Sequence, residues 1–119
     1  MAERNLELMR GTLDVMILKA VSWGPAHGYG VATWIQETTG EALKIEEGSL
    51  YPALHRLEHK GWVRSEWGLS ENKRHAKFYV LTEEGRKALI SESSAFARIT
   101  AAVGMVLGAV DGPRLVAAE

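Results

Sequence analysis

The most informative segment of this sequence reads 48-GSLYPALHRLEHK-60. At about 100° per residue, a helix over these residues has one apolar side and one polar side. The apolar side consists of Leu50, Ala53, Leu54 and Leu57. The polar side presents hydrogen-bond donors, a cation and rings, namely Ser49, Tyr51, Pro52, His55, Arg56 and His59. We therefore predict a helix that packs on a core with one face and offers the other to a partner.

The proline in this helix is compatible with its start. If Gly48 or Ser49 is the N-cap, Pro52 falls within the first turn or just past it. The first helical N–H groups have no partner inside the helix, so a proline there costs little. Gly61 then ends the helix.

Two helices and a short strand are predicted before this segment. Residues 6–21 have helical apolar spacing, and Gly11 leaves open whether they form one helix or two. The Gly-Pro pair in residues 22–26 interrupts the pattern. A second helix over residues 27–39 follows, with a glycine at its C-terminal end. Residues 43–45 read as a short extended piece.

A β-hairpin is predicted after this segment. Residues 62–67 and 76–81 alternate in polarity, with Val63 and Trp67 on one side of the first strand. In the second strand, Phe78 and Val80 alternate against Lys77 and Tyr79. The polar residues 68–75 form the tip, where Lys73, Arg74 and Lys77 concentrate positive charge.

A long last helix is predicted to start at Thr82, with Glu83 and Glu84 in its first turn, where acids suit the helix dipole. Its apolar residues are spaced close to a heptad repeat and lie beyond the compact domain, so a second chain is expected to cover them. With two residues near the N-terminus, the predicted dimer interface comprises Leu6, Met9, Leu89, Phe96, Ile99, Val103 and Val106. The predicted division is residues 1–81 for the compact domain, whose N-terminal helix also contributes to the dimer, 82–110 for the dimerisation helix and 111–119 for a tail.

Composition narrows the class of protein. The chain has 119 residues, which fits one domain with an appended interaction element. It has no cysteine, which excludes disulfides and thiolate metal sites, and no segment of it reads as a signal peptide or membrane span. We expect a cytoplasmic protein without a cofactor or metal. The net charge of −1 does not exclude a nucleic-acid partner, because a binding face responds to its local field.

The order helix, helix, short strand, helix, strand, tip, strand describes a winged helix-turn-helix. The expected fold class is mainly α with a small antiparallel β-wing and a C-terminal dimerisation helix. A helix of this kind fits the major groove of double-stranded DNA, and a cationic hairpin tip beside it can meet the phosphates or the minor groove. Arg56, Tyr51 and Ser49 would face base edges or the nearby backbone, and His55 would face DNA or solvent.

Several motifs resemble the PadR family of transcriptional regulators over roughly residues 6–90. They are Arg10-Gly-Thr-Leu-Asp14, His27-Gly-Tyr29, Glu47-Gly-Ser-Leu-Tyr-Pro-Ala-Leu-His-Arg-Leu57, Gly61-Trp62 and Lys77-Phe-Tyr-Val-Leu-Thr-Glu-Glu-Gly85. The resemblance implies a homodimer, usually a repressor, on an inverted-repeat operator. It also implies DNA contacts at Ser49, Tyr51, Pro52 and Arg56, and wing contacts at Lys73, Arg74 and Lys77.

The resemblance further implies a small aromatic or drug-like effector bound between the subunits. Some small relatives hold flat ligands with a tryptophan on the last helix. This sequence has no tryptophan after Trp67, and Phe96 is the only ring of the last helix. The sequence therefore departs from the family at this point.

Other interpretations compete with these. A winged-helix module that binds only proteins is the main alternative, although such modules usually lose the cations retained here. His55, Glu58 and His59 match an inverted zinc-peptidase signature, but no third ligand is evident. Tyr29 is expected in the core, and Gly28 and Gly30 are expected to allow tight helix packing. The tryptophans at positions 23, 34, 62 and 67 are expected to pack in the core or the dimer.

Overall fold

The computed structural model describes residues 2–114, with side chains described from residue 11 onward. The helices are α1 (Ala2–Ala20), α2 (Gly28–Thr38), α3 (Glu47–His59) and α4 (Glu83–Leu107). The strands are β1 (Ala26–His27), β2 (Val63–Leu69) and β3 (His75–Leu81). The predicted fold class, mainly helical with a small antiparallel wing, is confirmed.

The three strands form one antiparallel sheet in the order β1-β3-β2. β2 and β3 pair from Val63 opposite Leu81 to Leu69 opposite His75. The short strand predicted at residues 43–45 was misplaced, because β1 lies before α2 and pairs with β3 instead. Leu43 and Ile45 pack against the core without joining the sheet.

The two ends of α2 follow from its flanking residues. The His27 Nδ1 atom accepts a hydrogen bond from the Gly30 N–H at 3.0 Å, which satisfies one of the free donors of the first turn. After Thr39, Gly40 has a φ of +59°, a conformation that glycine adopts without steric cost. The preceding helix, α1, is continuous through Gly11, which resolves the choice between one helix and two.

α3 begins earlier than predicted. Its N-cap is Glu46, whose carbonyl oxygen accepts the N–H groups of Ser49 and Leu50. The predicted cap at Gly48 or Ser49 was therefore wrong, and Pro52 lies in the second turn. Pro52 leaves the Gly48 carbonyl without its usual helical donor. Gly48 is exposed, so water can satisfy that oxygen.

The core lies between α1, α2, α3 and the base of the sheet. Its fully enclosed members include Ile17, Leu18, Leu54 and Leu57, which are each 0% exposed. β3 contributes Tyr79 and Leu81. The inward residues of β3 are Tyr79 and Leu81, and not the pair Phe78 and Val80, because Leu81 pairs with the buried Val63 and period-two alternation then turns Tyr79 inward.

The start of α4 is fixed to this core. The Thr82 hydroxyl accepts the Gly85 N–H at 2.9 Å and donates to the Gly61 carbonyl at 2.6 Å, which confirms Thr82 as the cap. Gly85 is buried, and a Cβ there would overlap the Trp62 carbonyl oxygen. The rest of α4 leaves the core, and by length and composition alone this helix is apolar enough to cross a membrane.

Candidate nucleic-acid interface

The outward side of α3 is open to solvent along its whole length. The apolar positions of the helix are buried in the core, which leaves the opposite side in solvent. The residues along the middle of that side are Gly48, Pro52, His55 and His59, all exposed. We call these four residues the α3 stripe. Because Gly48 and Pro52 are small and compact, another molecule can approach the helix backbone closely at the N-terminal end of the stripe.

Tyr51 flanks the stripe on the side of α2. Its side chain is 41% exposed, and its ring rests on the backbone of Gly28. A Cβ at Gly28 would lie 2.9 Å from the Tyr51 ring and hydroxyl, closer than real contacts allow. Tight packing at this glycine, expected from the sequence, is confirmed, and its effect is to hold the Tyr51 ring in place.

Arg56 flanks the stripe on the other side and is ion-paired. Its Nη2 atom donates to Asp14 Oδ1 of α1 at 2.8 Å. The Arg56 side chain is 38% exposed and the Asp14 side chain 17% exposed. Asp14 therefore orients the guanidinium, while part of the group still reaches solvent. Ser49, at the same edge of the helix, is half-buried.

A second polar bridge joins α3 to the wing. Glu58 accepts a hydrogen bond from the Ser65 hydroxyl at 2.7 Å and lies 3.6 Å from Lys77 Nζ. The Ser65 hydrogen bond, aided by the Lys77 charge, holds the pKa of Glu58 below its ordinary value despite partial burial. Lys77 also lies over the Tyr79 ring, and burial raises the pKa of Tyr79. The Lys77 ammonium group is therefore already paired within its own chain.

The wing tip presents free cations. Ser70 and Arg74 close the turn through the Ser70 N–H to Arg74 carbonyl bond at 2.9 Å, and Lys73 donates its N–H to the Ser70 carbonyl at 2.8 Å. Lys73 has a φ of +60°, which is uncommon for a residue with a Cβ. Lys73 and Arg74 are exposed, and neither forms an ion pair within 4 Å with any residue in the described part of the chain.

The zinc-peptidase signature does not assemble a metal centre. Glu58, its middle residue, turns to Ser65 and Lys77, while His55 and His59 lie in the α3 stripe. Among residues 11–114, whose side chains the structure describes, no three His, Cys, Asp or Glu residues form a group suited to a metal ion.

The family follows from comparison with known proteins. The sequence model of the transcriptional regulator PadR-like family matches residues 17–91, which include α2, α3 and the whole wing. The chain belongs to the PadR-like family. Its members are transcriptional regulators and not enzymes. This PadR-like chain is therefore a winged-helix transcriptional regulator, and its family implies DNA-binding regulation.

Three proteins illustrate the range of similarity. A solved transcriptional regulator from Clostridium thermocellum is 30% identical, with a TM-score of 0.75 over 82% of this chain and 95% of that one. An uncharacterized 37.1 kDa transposon protein of Streptomyces fradiae is 36% identical over 76% of this chain. The negative transcriptional regulator PadR of Bacillus subtilis is 26% identical over 65% of this chain. This chain spans 24% and 42% of the lengths of the last two proteins.

Three aromatic residues of this PadR-like chain lie where the sequence did not place them. Tyr29, expected in the core, is 73% exposed at the start of α2. Trp23 and Trp67, expected to be packed, are 69% and 71% exposed in the single chain. The tryptophans at positions 34 and 62 do pack against the core. The sheet extends beyond α3, and Trp67 lies in the part of β2 that no helix covers.

The predicted dimer residues fall into three groups. Leu89 is partly buried against the core of its own chain. Phe96, Ile99, Val103 and Val106 are 43%, 62%, 49% and 74% exposed on one side of α4. We call these four the α4 stripe. Leu6 and Met9 lie in the part of α1 whose side chains are outside the described residues.

Proposed function

We propose that this PadR-like chain is a homodimeric repressor that binds an inverted-repeat operator through α3 and the wing. The observation that supports it best is the exposed α3 stripe beside a wing tip whose two cations have no ion-pair partner in the described chain. The name of the Bacillus subtilis relative, a negative regulator, favours repression. DNA binding of this kind places the protein in the cytoplasm.

The α3 stripe is the proposed reading surface. Gly48 and Pro52 let the helix backbone sit deep in the major groove, and His55 and Tyr51 reach base edges or the adjacent phosphates. Ser49 lies at the edge of the helix, where a phosphate contact fits better than a base contact. Phosphate contacts would fix the register of α3, and base contacts would give it sequence preference.

Arg56 is proposed to contact the DNA backbone rather than a guanine edge. A bidentate contact to guanine needs two free guanidinium N–H groups in one plane. Asp14 takes one of the five guanidinium donors at 2.8 Å and holds that edge of the group against α1. The remaining donors, on a side chain that is 38% exposed, suit a phosphate at the rim of the groove.

The wing contributes attraction that does not depend on sequence. Lys73 and Arg74 would each neutralise a phosphate and release counterions. Lys77 was predicted to do the same, but its ion pair with Glu58 favours a positioning role, in which it holds the wing at a fixed angle to α3. Lys73 has a left-handed backbone conformation, which asparagine adopts more readily than lysine. The presence of lysine at this position therefore supports a role for its charge.

The α4 stripe is the proposed dimer interface. Its apolar residues follow steps of three and four, which suit packing of helix on helix. A bilayer is a poorer fit, because Glu92 and Arg98 lie within the apolar part of α4. In this proposal residues 1–81 bind DNA, 82–110 dimerise and 111–119 form the tail. A small aromatic effector between subunits would have to use Phe96, the only ring of α4.

The proposal is tested by fluorescence anisotropy with a labelled duplex from the DNA upstream of the chain's own gene. We expect binding at least about 1,000-fold tighter than to a scrambled duplex of equal length. His55→Ala should reduce this ratio. Lys73→Asn should weaken both duplexes alike and lower the salt slope by about one. A winged-helix module that binds only proteins would ignore every duplex at low ionic strength, and that result would overturn the proposal.

The role of Arg56 has its own test. If Arg56 binds a phosphate in an orientation set by Asp14, both Arg56→Ala and Asp14→Asn should weaken binding to all sequences. If Arg56 reads a base, Arg56→Ala should instead flatten the preference at one position across a mismatch series. An Asp14→Asn variant with unchanged affinity would contradict the orienting role of the ion pair.

A further inference from the structure

A groove lies between the helical body and the wing tip. Its volume is about 520 Å³, within the range of small-molecule sites. The body contributes Trp23, Trp34 and His27 to its walls. The wing contributes Phe78 from β3 and the segment Leu69–Glu71 at the tip.

Aromatic rings dominate the lining. Trp23 and Trp34 pack at a ring distance of 5.5 Å and an angle of 58°, and His27 meets Phe78 edge-on at 5.4 Å. Trp23 nevertheless stays 69% exposed at the rim. A large exposed ring that continues into a groove is typical of a binding surface, since burying it on a ligand is favourable.

The charged group of the lining is Glu71. Its Oε1 atom lies 3.7 Å from His27 Nε2, too far for a hydrogen bond. The His27 ring already uses Nδ1 to accept the Gly30 N–H, so its proton sits on Nε2 and faces Glu71. The Glu71 side chain is 91% exposed and can accept a donor from a bound molecule.

We propose that this groove binds a planar aromatic molecule with a protonated amine. The ring would stack on Trp23 and Phe78, and the ammonium group would pair with Glu71. Lys19 Nζ already lies 4.8 Å from the Trp23 ring centre, so the ammonium group of the ligand is placed at Glu71 and not on this ring. An occupant would touch the body and the wing tip together, two residues from Lys73.

The test uses the full chain without DNA, so its outcome is independent of the proposed repressor function. Isothermal titration calorimetry compares 2-naphthylmethylamine with 2-naphthylacetate, which have the same ring system and opposite charge. We expect saturable binding of the amine at one site per chain, at least about tenfold tighter than the acetate. A tenfold preference corresponds to about 1.4 kcal/mol.

Three variants at exposed positions locate the site. Trp23→Ala should weaken the amine about tenfold, and Glu71→Gln should abolish the preference for the amine over the acetate. Trp67→Ala is the matched control, since this tryptophan is 71% exposed but does not line the groove. It should bind the amine like the parent protein. No saturable binding, an equal loss in Trp67→Ala, or a preference that survives in Glu71→Gln would overturn the proposal.

Discussion

The winged-helix body and the distal part of α4 both have apolar side chains at helical spacing, but only the body buries them. In the body, Ile17 and Leu54 are 0% exposed. In α4, Ile99 and Val106 are 62% and 74% exposed. One chain therefore fills the core of the winged-helix body by itself, whereas α4 leaves its apolar side in solvent, as the proposed dimer interface requires.

The boundary between the two regions is sharp. Gly85 is buried against the Trp62 carbonyl, and Leu89 still packs on the core. Two turns later, Phe96 is 43% exposed, and from there to Leu107 no apolar side chain of α4 is buried. The same helix therefore belongs to the body at its start and to the proposed dimer interface at its end.

The largest expected effect comes from charging the α4 stripe. Ile99→Asp with Val103→Asp should give a monomer, because two carboxylates per chain would have to enter an apolar interface. Loss of the second half-site contact should weaken operator binding by about 100-fold or more. Light scattering and anisotropy measure the two effects. Met105→Asp, at a residue 75% exposed on the other side of α4, should remain dimeric. Equal dissociation in both variants would refute the assigned stripe.

A pair of truncations compares the two regions directly. Leu54→Ala should lower the free energy of unfolding by about 2–5 kcal/mol, since it opens a cavity in a filled core. Val106→Ala should cost less, and its cost should depend on protein concentration, because dimerisation links stability to concentration. Urea unfolding at two protein concentrations measures both. A concentration-independent loss in Val106→Ala would contradict burial of that residue by a second chain.

Two glycines define where the body tolerates an added methyl group. Gly85→Ala should cost about 1–3 kcal/mol, because the new Cβ collides with backbone that cannot move freely. Gly48→Ala should instead stabilise α3 by up to about 1 kcal/mol, since nothing lies within 4 Å of its Cβ. Thermal unfolding of the two variants gives the comparison. Similar destabilisation by both would show that Gly48 is not open to solvent.

The smallest expected effect is at the bridge between α3 and the wing. Because the pKa of Glu58 is lowered on folding, its contribution to stability is complete above the ordinary carboxyl pKa of about 4.3. That contribution is lost as the pH falls through the lower pKa of the folded state. Glu58→Gln should therefore be less stable than the parent at pH 7, by about 1 kcal/mol or less, and the gap should shrink near pH 3. A gap that widens at low pH would contradict the assignment.

The sequence predicted those features that depend on neighbours along the chain. The two faces of α3, the cap at Thr82 and the hairpin follow from periodicity and from local hydrogen bonding. It did not predict the partner of Arg56, because Asp14 is 42 residues away. β1 was missed because a two-residue strand has no periodicity to detect. The inward face of β3 depends on its pairing with β2. The exposure of Tyr29 depends on how α2 packs. Neither contact can be inferred from neighbours along the chain.

We propose that two copies of this chain, joined through α4, place two α3 helices on one duplex. Sedimentation velocity with a labelled upstream duplex, in the presence of excess unlabelled scrambled DNA, tests it most directly. We expect a complex of two chains per duplex, and its formation should require the intact α4 stripe. A complex with one chain per duplex, or a duplex that sediments alone at every protein concentration, would contradict it.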